Sequence, residues 1–401
     1  MGIETRPAIL TVRTKAALTV PAQQLSRSEE EILQELQAWR QPVFKLPYPM
    51  YGQNPLAPVI YEPVLAWFYN HNLQTIFTRD EDLDFLMACR LHEVPTMVYS
   101  FAGEEGLLWI AKFVLWLFVL DDLCEERDSF YSAEQWSSLF VEISLLMMSS
   151  FPNDDSLRTA FLELLPQLPE HSRQQTVKYV EAQMAKAKSQ PGASVYDSPT
   201  LGPVGCAYRD LWVELLERIP RDTVKRWGLT IQWYLIANAK EVNNRKNEYV
   251  MSVAEYIPHR RLVSALDPCY IGAVDLIEGL HTSLPDDIFN GPVWQELFMA
   301  LNDIISWHND LWSFKKEIVK GGMQNMVFII SKETGCSFSE ASHKTMDMLY
   351  KRIEELQTLF DEMERITPLE YKKHVDAYIK SAKLWITGTH NFHYTNIRFK
   401  V

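Results

Sequence analysis

From Val64 to His390 the chain repeats one pattern: apolar residues three and four positions apart, in stretch after stretch. That spacing lays an apolar stripe along an α-helix. The stretches 104–122, 221–246, 293–320, 337–364 and 368–390 each hold it over several turns. No strand-rich region, internal repeat or Gly-rich phosphate loop interrupts them. Only 15 of 401 residues are Gly, while Leu, Ala, Glu and Lys are plentiful, which favours helix over sheet. The expected fold class is therefore all-α. A 47% hydrophobic content supplies a full core.

Helix signals set the organisation. Ser28 with Glu31 predicts a capping box opening a short helix, EEEILQELQAW. The Pro-rich stretch 41–58 cannot continue it, and the next helix is expected from Val64. Residues 1–45 are accordingly read as a partly disordered tail plus that short helix, and 46–401 as one α-domain. The segment SQPGASVYDSPTLGPVG, 189–205, is the clearest internal loop. It lies inside an excess of chain, roughly 140–205, expected to be a surface insertion.

Charge and cysteine use narrow the partners. A formal net charge of −13 argues against nucleic acid, although divalent cations would let an acidic chain bind an anionic substrate. The five cysteines are scattered and form no CxxC pair, so neither zinc nor a disulfide framework is indicated. The apolar run 106–120 is broken by Lys112 and too short for a bilayer, so a core helix is expected. A cytoplasmic location follows as the default. Residues 5–28 carry basic but no acidic side chains, and a transit peptide is the other reading of that tail.

Two segments carry chemistry. In HNDLWSFKKE, taking Asn309 as zero, Ser313 falls near ~40°, Lys316 near ~−20° and Glu317 near ~80° around the helix. Three oxygen donors on one rigid face suit a hard cation, and the lysine suits an anion beside it. In FVLDDLCEERD, Asp121 and Glu125 are i,i+4 neighbours, as are Asp122 and Glu126. Each like-charge pair destabilises a helix by about 0.2–0.5 kcal/mol. A metal would remove that penalty; acids that simply face water at a helix end are the other explanation.

An apolar helix ending in DDxxE, followed by another carrying NDxxSxxxE, resembles the class I terpene synthases in their single-domain microbial and octocoral form. EYIPHRRLVSA, 255–265, resembles that family's helix break with its diphosphate-sensing arginine. WITGTHNFHYTNIRF, 385–399, resembles its C-terminal WxxG…RY element, and GGMQNMV fits the continuation of the second motif. The resemblance implies an all-α bundle of the isoprenoid synthase fold around a central active-site cavity. It implies three magnesium ions, an isoprenyl diphosphate substrate, and a monomer or homodimer. A cyclic diterpene or sesquiterpene would be the product, with geranylgeranyl diphosphate slightly preferred over farnesyl diphosphate.

Residue by residue, the resemblance makes Asp121 the principal metal carboxylate, supported by Asp122, Glu125 and Glu126. Asn309, Ser313 and Glu317 would hold a further ion. Arg261, Lys316 and Arg398 would donate to the diphosphate, with Arg260 a rival for the sensor role. Phe118, Ala265 and Phe392 would line the cavity, whereas Phe113, Trp116 and Trp312 are more readily core. Two positions depart from the family: Phe399 stands where the terminal pair has Tyr, and Ala265 where the break commonly has Gly. Asn302, Asp303, Ser306 and Asp310 spell a near copy of the second motif one heptad upstream; the later copy is preferred for its Glu317 and Lys316. Three other readings remain: a chain-elongating prenyltransferase, a di-iron bundle built on Glu278/His281 and Glu340/His343, and a non-catalytic helical interaction protein.

Overall fold

A computed structural model of the chain describes residues 25, 27–125, 132–168, 170–189 and 201–400. Within them the helices are α1 (Glu29–Ala38), α2 (Ala57–Asn70), α3 (Asp80–Ala88), α4 (Glu93–Val98), α5 (Glu104–Glu125), α6 (Ala133–Ser149), α7 (Ser156–Leu164), α8 (Glu170–Ser189), α9 (Pro203–Arg218), α10 (Arg221–Lys246), α11 (Val253–Val263), α12 (Leu266–Tyr270), α13 (Ala273–Ile277), α14 (Asp286–Phe289), α15 (Pro292–Val319), α16 (Met326–Thr334), α17 (Phe338–Ile366) and α18 (Lys372–Thr395). No strand occurs among the described residues, as the sequence pattern requires.

Local chemistry sets several helix starts. Ser28 Oγ accepts from Glu31 N while Glu31 accepts from Ser28 N, the reciprocal box the sequence announces. The same device opens α6, α11 and α17. One start differs from expectation. α2 begins at Ala57 rather than Val64, with one proline in its first turn and Pro63 inside it. Pro63 lacks the N–H that would reach Val59, and Val59 is exposed, so water can satisfy that carbonyl.

The aromatic residues of α5 build the core on one side of that helix. Trp109, Phe113 and Trp116 stack along it and meet Tyr208 and Trp212 of α9 and Trp227 of α10, with centroids 5.1–5.8 Å apart for the pairs that cross helices to Trp227 and Tyr208. Each buried indole N–H in this stack has an acceptor: Leu211 O, Val204 O, Ser150 Oγ and Pro268 O. Burying each ring contributes about 1.5–3 kcal/mol, and the satisfied N–H removes the offsetting cost. The apolar run 106–120 is thus a core helix, and no described helix is long and apolar enough to cross a membrane.

Helices α6–α8, from the stretch expected to be a surface insertion, form an outer layer. α6 packs on α10, α7 on α10 and α6, and α8 on α6. Residues 190–200 of the expected loop lie outside the described residues. Segment 27–48 runs back over α15 and α17: Trp39 Nε1 donates to Ser342 Oγ at 3.0 Å, and Phe44 stacks on Tyr350 at 5.2 Å.

α15 is the central element, packed on α17, α18, α16 and α11. α18 reaches its place only because Gly388 lets it press against α4. A Cβ there would sit 2.5 Å from Met97 O and 2.8 Å from Val98 Cα, both backbone atoms that cannot swing aside. Gly388→Ala should therefore destabilise the fold by about 1–3 kcal/mol, read as a lower midpoint in urea unfolding. An unchanged midpoint would mean the two helices can separate freely.

Candidate active site

α5, α10, α11, α12, α15 and α18 surround a deep cavity. Along α5, Val114, Leu117, Phe118 and Asp121 face it, while the tryptophan stack faces the other way. Ile305, Val263, Leu266, Cys269, Trp385 and Phe392 add apolar wall. The polar residues cluster where α5, α11 and α15 carry their motifs: Asp121, Arg260, Asn309, Asp310, Ser313, Lys316, Glu317 and Arg398.

The α15 stripe is one half of that cluster. Asn309, Ser313 and Glu317 recur every four residues and all line the cavity. Ser313 Oγ is buried and has no hydrogen-bond partner among the described residues, an orphan that a ligand could satisfy. Glu317 is aimed by Asn325, whose Nδ2 donates to its Oε2 at 2.9 Å. Asn309 Oδ1 accepts from Arg260 Nη2 at 3.1 Å. An amide oxygen, a hydroxyl and a carboxylate on one cavity-lining face suit a hard divalent cation.

Asp310 does not share that role. Tyr256 Oη donates to its Oδ2 at 2.8 Å, Met326 N at 3.0 Å, and Arg260 Nε to its Oδ1 at 3.0 Å. Burial raises its carboxyl above the usual range, and Arg260 pulls the other way. The net effect of the contact is to hold Arg260 at the cavity wall, beside Asn309.

The upstream copy of the motif is spent on structure. Asn302 Nδ2 donates to Arg261 O at 2.8 Å and to Asp267 Oδ1 at 3.0 Å, and Asn302 Oδ1 accepts from Ser264 Oγ at 2.8 Å. These bonds pin the break between α11 and α12, where Ala265 takes the left-handed conformation at φ 56°. That conformation is why glycine suits the position; Ala265 adopts it and lines the cavity.

Arg261, expected to face the diphosphate, does not line the cavity. Its Nε and Nη2 both sit 2.7 Å from the Asp303 carboxylate, a bidentate pair in which Asp303 is 1% exposed. Arg260 takes the cavity position instead. On a helix consecutive residues point about 100° apart, so one arginine can face the cavity while the next is turned to α15's deeper turn.

Arg398 closes the acidic side. Its Nη2 lies 2.9 Å from Asp121 Oδ2 and 2.9 Å from Asp122 Oδ1, with the guanidinium 5.3 Å above the Phe118 ring. Asn396 fixes the turn that delivers it, accepting from Arg398 N and donating to Cys89 O. Asp121 lines the cavity; Asp122 sits beside it on the arginine. The side chains of Glu125 and Glu126 fall outside the described residues. Phe399, in place of a tyrosine, packs edge-on to His393 at 4.5 Å.

Some lining residues had gone unnoticed in the sequence. Asn238, Glu241 and Arg245 on α10 face the cavity from a third helix. Their spacing of three and four was a readable polar stripe. Glu241 accepts from, or is paired with, His259 Nε2 at 3.2 Å. His393 also lines the cavity, and burial pushes it down to about 3, so it is neutral at pH 7. The ExxH pairs are not brought together: Glu278 pairs with Lys380, and Glu340 caps α17.

Residues 180–355 match the family model for terpene synthase family 2, C-terminal metal binding. The chain is 26% identical to alpha-gurjunene synthase of Marchantia polymorpha across 90% of this chain and 86% of that one. It is 24% identical to (+)-T-muurolol synthase ((2E,6E)-farnesyl diphosphate cyclizing) of Roseiflexus castenholzii, across 88% and 93%. Germacradien-4-ol synthase of Streptomyces citricolor has the same fold, with a TM-score of 0.64 at 16% identity over 88% of this chain and 98% of that one. A matched metal-binding region that contains the α15 donor stripe, relatives along nearly the whole chain and a shared all-α fold converge: the chain is similar to the class I terpene synthases throughout.

Proposed function

We propose that the enzyme uses magnesium to ionise farnesyl diphosphate and cyclises the resulting cation to a sesquiterpene. The observation that carries this is a single cavity whose motif-bearing turns are polar and whose deeper walls are apolar and aromatic. The farnesyl preference replaces the slight lean towards geranylgeranyl diphosphate. It rests on the relatives, one of which carries farnesyl diphosphate cyclisation in its name. Along α5 the lining from Asp121 to Val114 spans seven residues, or about 10 Å at 1.5 Å per residue. A prenyl chain anchored near Asp121 must coil to fit that depth.

Asn309, Ser313 and Glu317 would hold one ion and Asp121 two more, with Asp122 supporting. Bound there, magnesium supplies Lewis-acid stabilisation of the departing diphosphate. Arg260, Lys316 and Arg398 are the chain's own donors to the diphosphate oxygens, in a buried setting where charge-assisted bonds are strong. Arg398 and Asp121 are already paired, so each is neutralised until substrate arrives. Deeper in the cavity Phe118, Trp385 and Phe392 present rings to the carbocation, worth roughly 0.5–2 kcal/mol each. These walls also keep water from quenching it.

The test is to incubate the full chain and magnesium separately with farnesyl and geranylgeranyl diphosphate and analyse the extract by gas chromatography–mass spectrometry. A cyclic C15 hydrocarbon or alcohol from farnesyl diphosphate is expected. A product from geranylgeranyl diphosphate alone would reverse the chain-length assignment, and longer diphosphates after adding isopentenyl diphosphate would mean elongation.

Asn309→Ala and Glu317→Ala should each lower turnover at least about a hundredfold, as loss of electrostatic catalysis does, with far-UV circular dichroism unchanged. Retained turnover in both would remove the α15 stripe from the metal site. The two arginines should separate. Arg260→Ala is expected to abolish turnover, whereas Arg261→Ala should chiefly cost stability, about 1–3 kcal/mol, by stripping a buried carboxylate of one partner. The reverse pattern would restore Arg261 to the sensor position.

A further inference from the structure

Three histidines lie against the α15 donor stripe and have no part in the mechanism above. His393 Nδ1 is 2.9 Å from His308 Nδ1, and His308 Nε2 is 3.1 Å from His390 Nδ1. His308 and His393 are buried, and the Phe44 ring lies 5.0 Å from that of His308 and 5.8 Å from that of His390. At the other end of the row, His393 Nε2 lies 3.1 Å from Asn309 Nδ2. We propose that His393 is a positioning residue: it fixes which end of the Asn309 carboxamide faces the cation, and His308 and His390 hold it in the tautomer this requires. The inference rests on reading Asn309 as a metal ligand.

The physical problem is that an Asn carboxamide has two ends of nearly the same shape. Its oxygen can approach a cation; its NH2, which only donates, cannot. Nothing steric prevents a flip, so a directional partner is needed on the nitrogen. Arg260 only donates, and its Nη2 stands at the end of the amide that carries oxygen. The opposite end must therefore be the NH2, and the nitrogen it meets, His393 Nε2, must accept. His393 then carries its proton on Nδ1 and donates it to His308 Nδ1. His308 carries its own on Nε2 and donates to His390 Nδ1. Every bond in this row has one donor and one acceptor.

A second arrangement competes. Trp312 Nε1 lies 3.0 Å from His308 Nε2, and an indole N–H can only donate. If His308 Nε2 accepts from Trp312, its proton moves to Nδ1, His393 holds its proton on Nε2, and Asn309 must turn its oxygen to His393. The NH2 would then face Arg260, and no oxygen would be offered to a cation. The row of imidazoles thus has two directions, and only the one ending in an accepting His393 Nε2 leaves Asn309 competent. Partners that orient a metal ligand in this way commonly change metal affinity 10- to 100-fold when removed.

The experiment is titration calorimetry of inorganic diphosphate binding to the full chain at a series of magnesium concentrations. His393→Leu should raise the magnesium needed for half-saturation about tenfold. His393→Gln, whose Oε1 can accept from Asn309, should recover most of that loss. In an Asn309→Asp background the wrong end no longer exists, because both atoms are oxygen, and adding His393→Leu should change little. Trp312→Phe removes the opposing donor and should lower the magnesium requirement, a readout that stands even if the Leu variant does not fold. The inference is overturned if Leu behaves as wild type, if Gln is no better than Leu, if the Leu loss is as large in the Asp background, or if Trp312→Phe fails to lower the requirement. Wild-type protein that binds no diphosphate at any magnesium concentration would sink the metal reading of Asn309 together with this one, and that result is distinct from the others.

Discussion

The Asp310 carboxylate is the contact on which the rest of the site depends. It is 1% exposed, yet it collects a phenol from α11, a guanidinium from α11 and the first backbone N–H of α16. A carboxylate taken out of water at that depth is tolerable only when its lone pairs are filled. Filling them ties three helices to one point. Arg260 is thereby fixed beside Asn309, and the start of α16 is fixed where Asn325 can reach Glu317. The donor stripe is consequently rigid before any ligand arrives, which is what a metal site built on helices needs.

The same helix shows how one motif can serve two ends. Asn302-Asp303 and Asn309-Asp310 are seven residues apart, so they share a face and differ by about 10 Å in height. At the lower height the neighbours are the α11–α12 break and Arg261, and both polar side chains are used to pin them. At the upper height the neighbours are Arg260, Ser313 and the cavity. Asp303 and Asp310 each hold one of two consecutive arginines. The choice of which arginine reaches the cavity is made by this pairing and not by the arginines themselves.

That is also why the sequence was legible in some places and silent in others. Helix periodicity, the Ser28 capping box and the Asn309/Ser313/Glu317 stripe are local: each needs only spacing along one element. The helical class followed from such spacing, whereas the preference for the later motif copy came from its Glu317 and Lys316 and from the resemblance of the GGMQNMV continuation. Arg261 was expected at the cavity with Arg260 as its rival, and Arg260 stands there: resemblance to a helix break fixes position in the chain only to within a residue, and one residue is about 100° of helix. The histidine row was invisible for a different reason. His308 comes from α15 and His390 and His393 from α18, more than eighty positions away, and no spacing rule joins them. The Pro63-containing start of α2 shows the converse, a local rule set aside because an exposed turn can bear the missing bond.

The C-terminal turn ties the two halves of the cavity wall into one electrostatic unit. Arg398 is 4% exposed at its side chain and pairs with both Asp121 and Asp122, offsetting part of the repulsion between two adjacent carboxylates at the end of an apolar helix. An arginine forks well onto carboxylate or phosphate alike. A dianionic or trianionic ligand carried in with cations can thus exchange partners with the existing pair: cations take the aspartates, and the ligand takes the arginine. The same logic explains why phenylalanine is acceptable at position 399. The neighbouring ring contacts His393 and Phe392 rather than the ion pair. It therefore supports the wall by packing, while the charge balance rests on Arg398 alone among the residues of that turn.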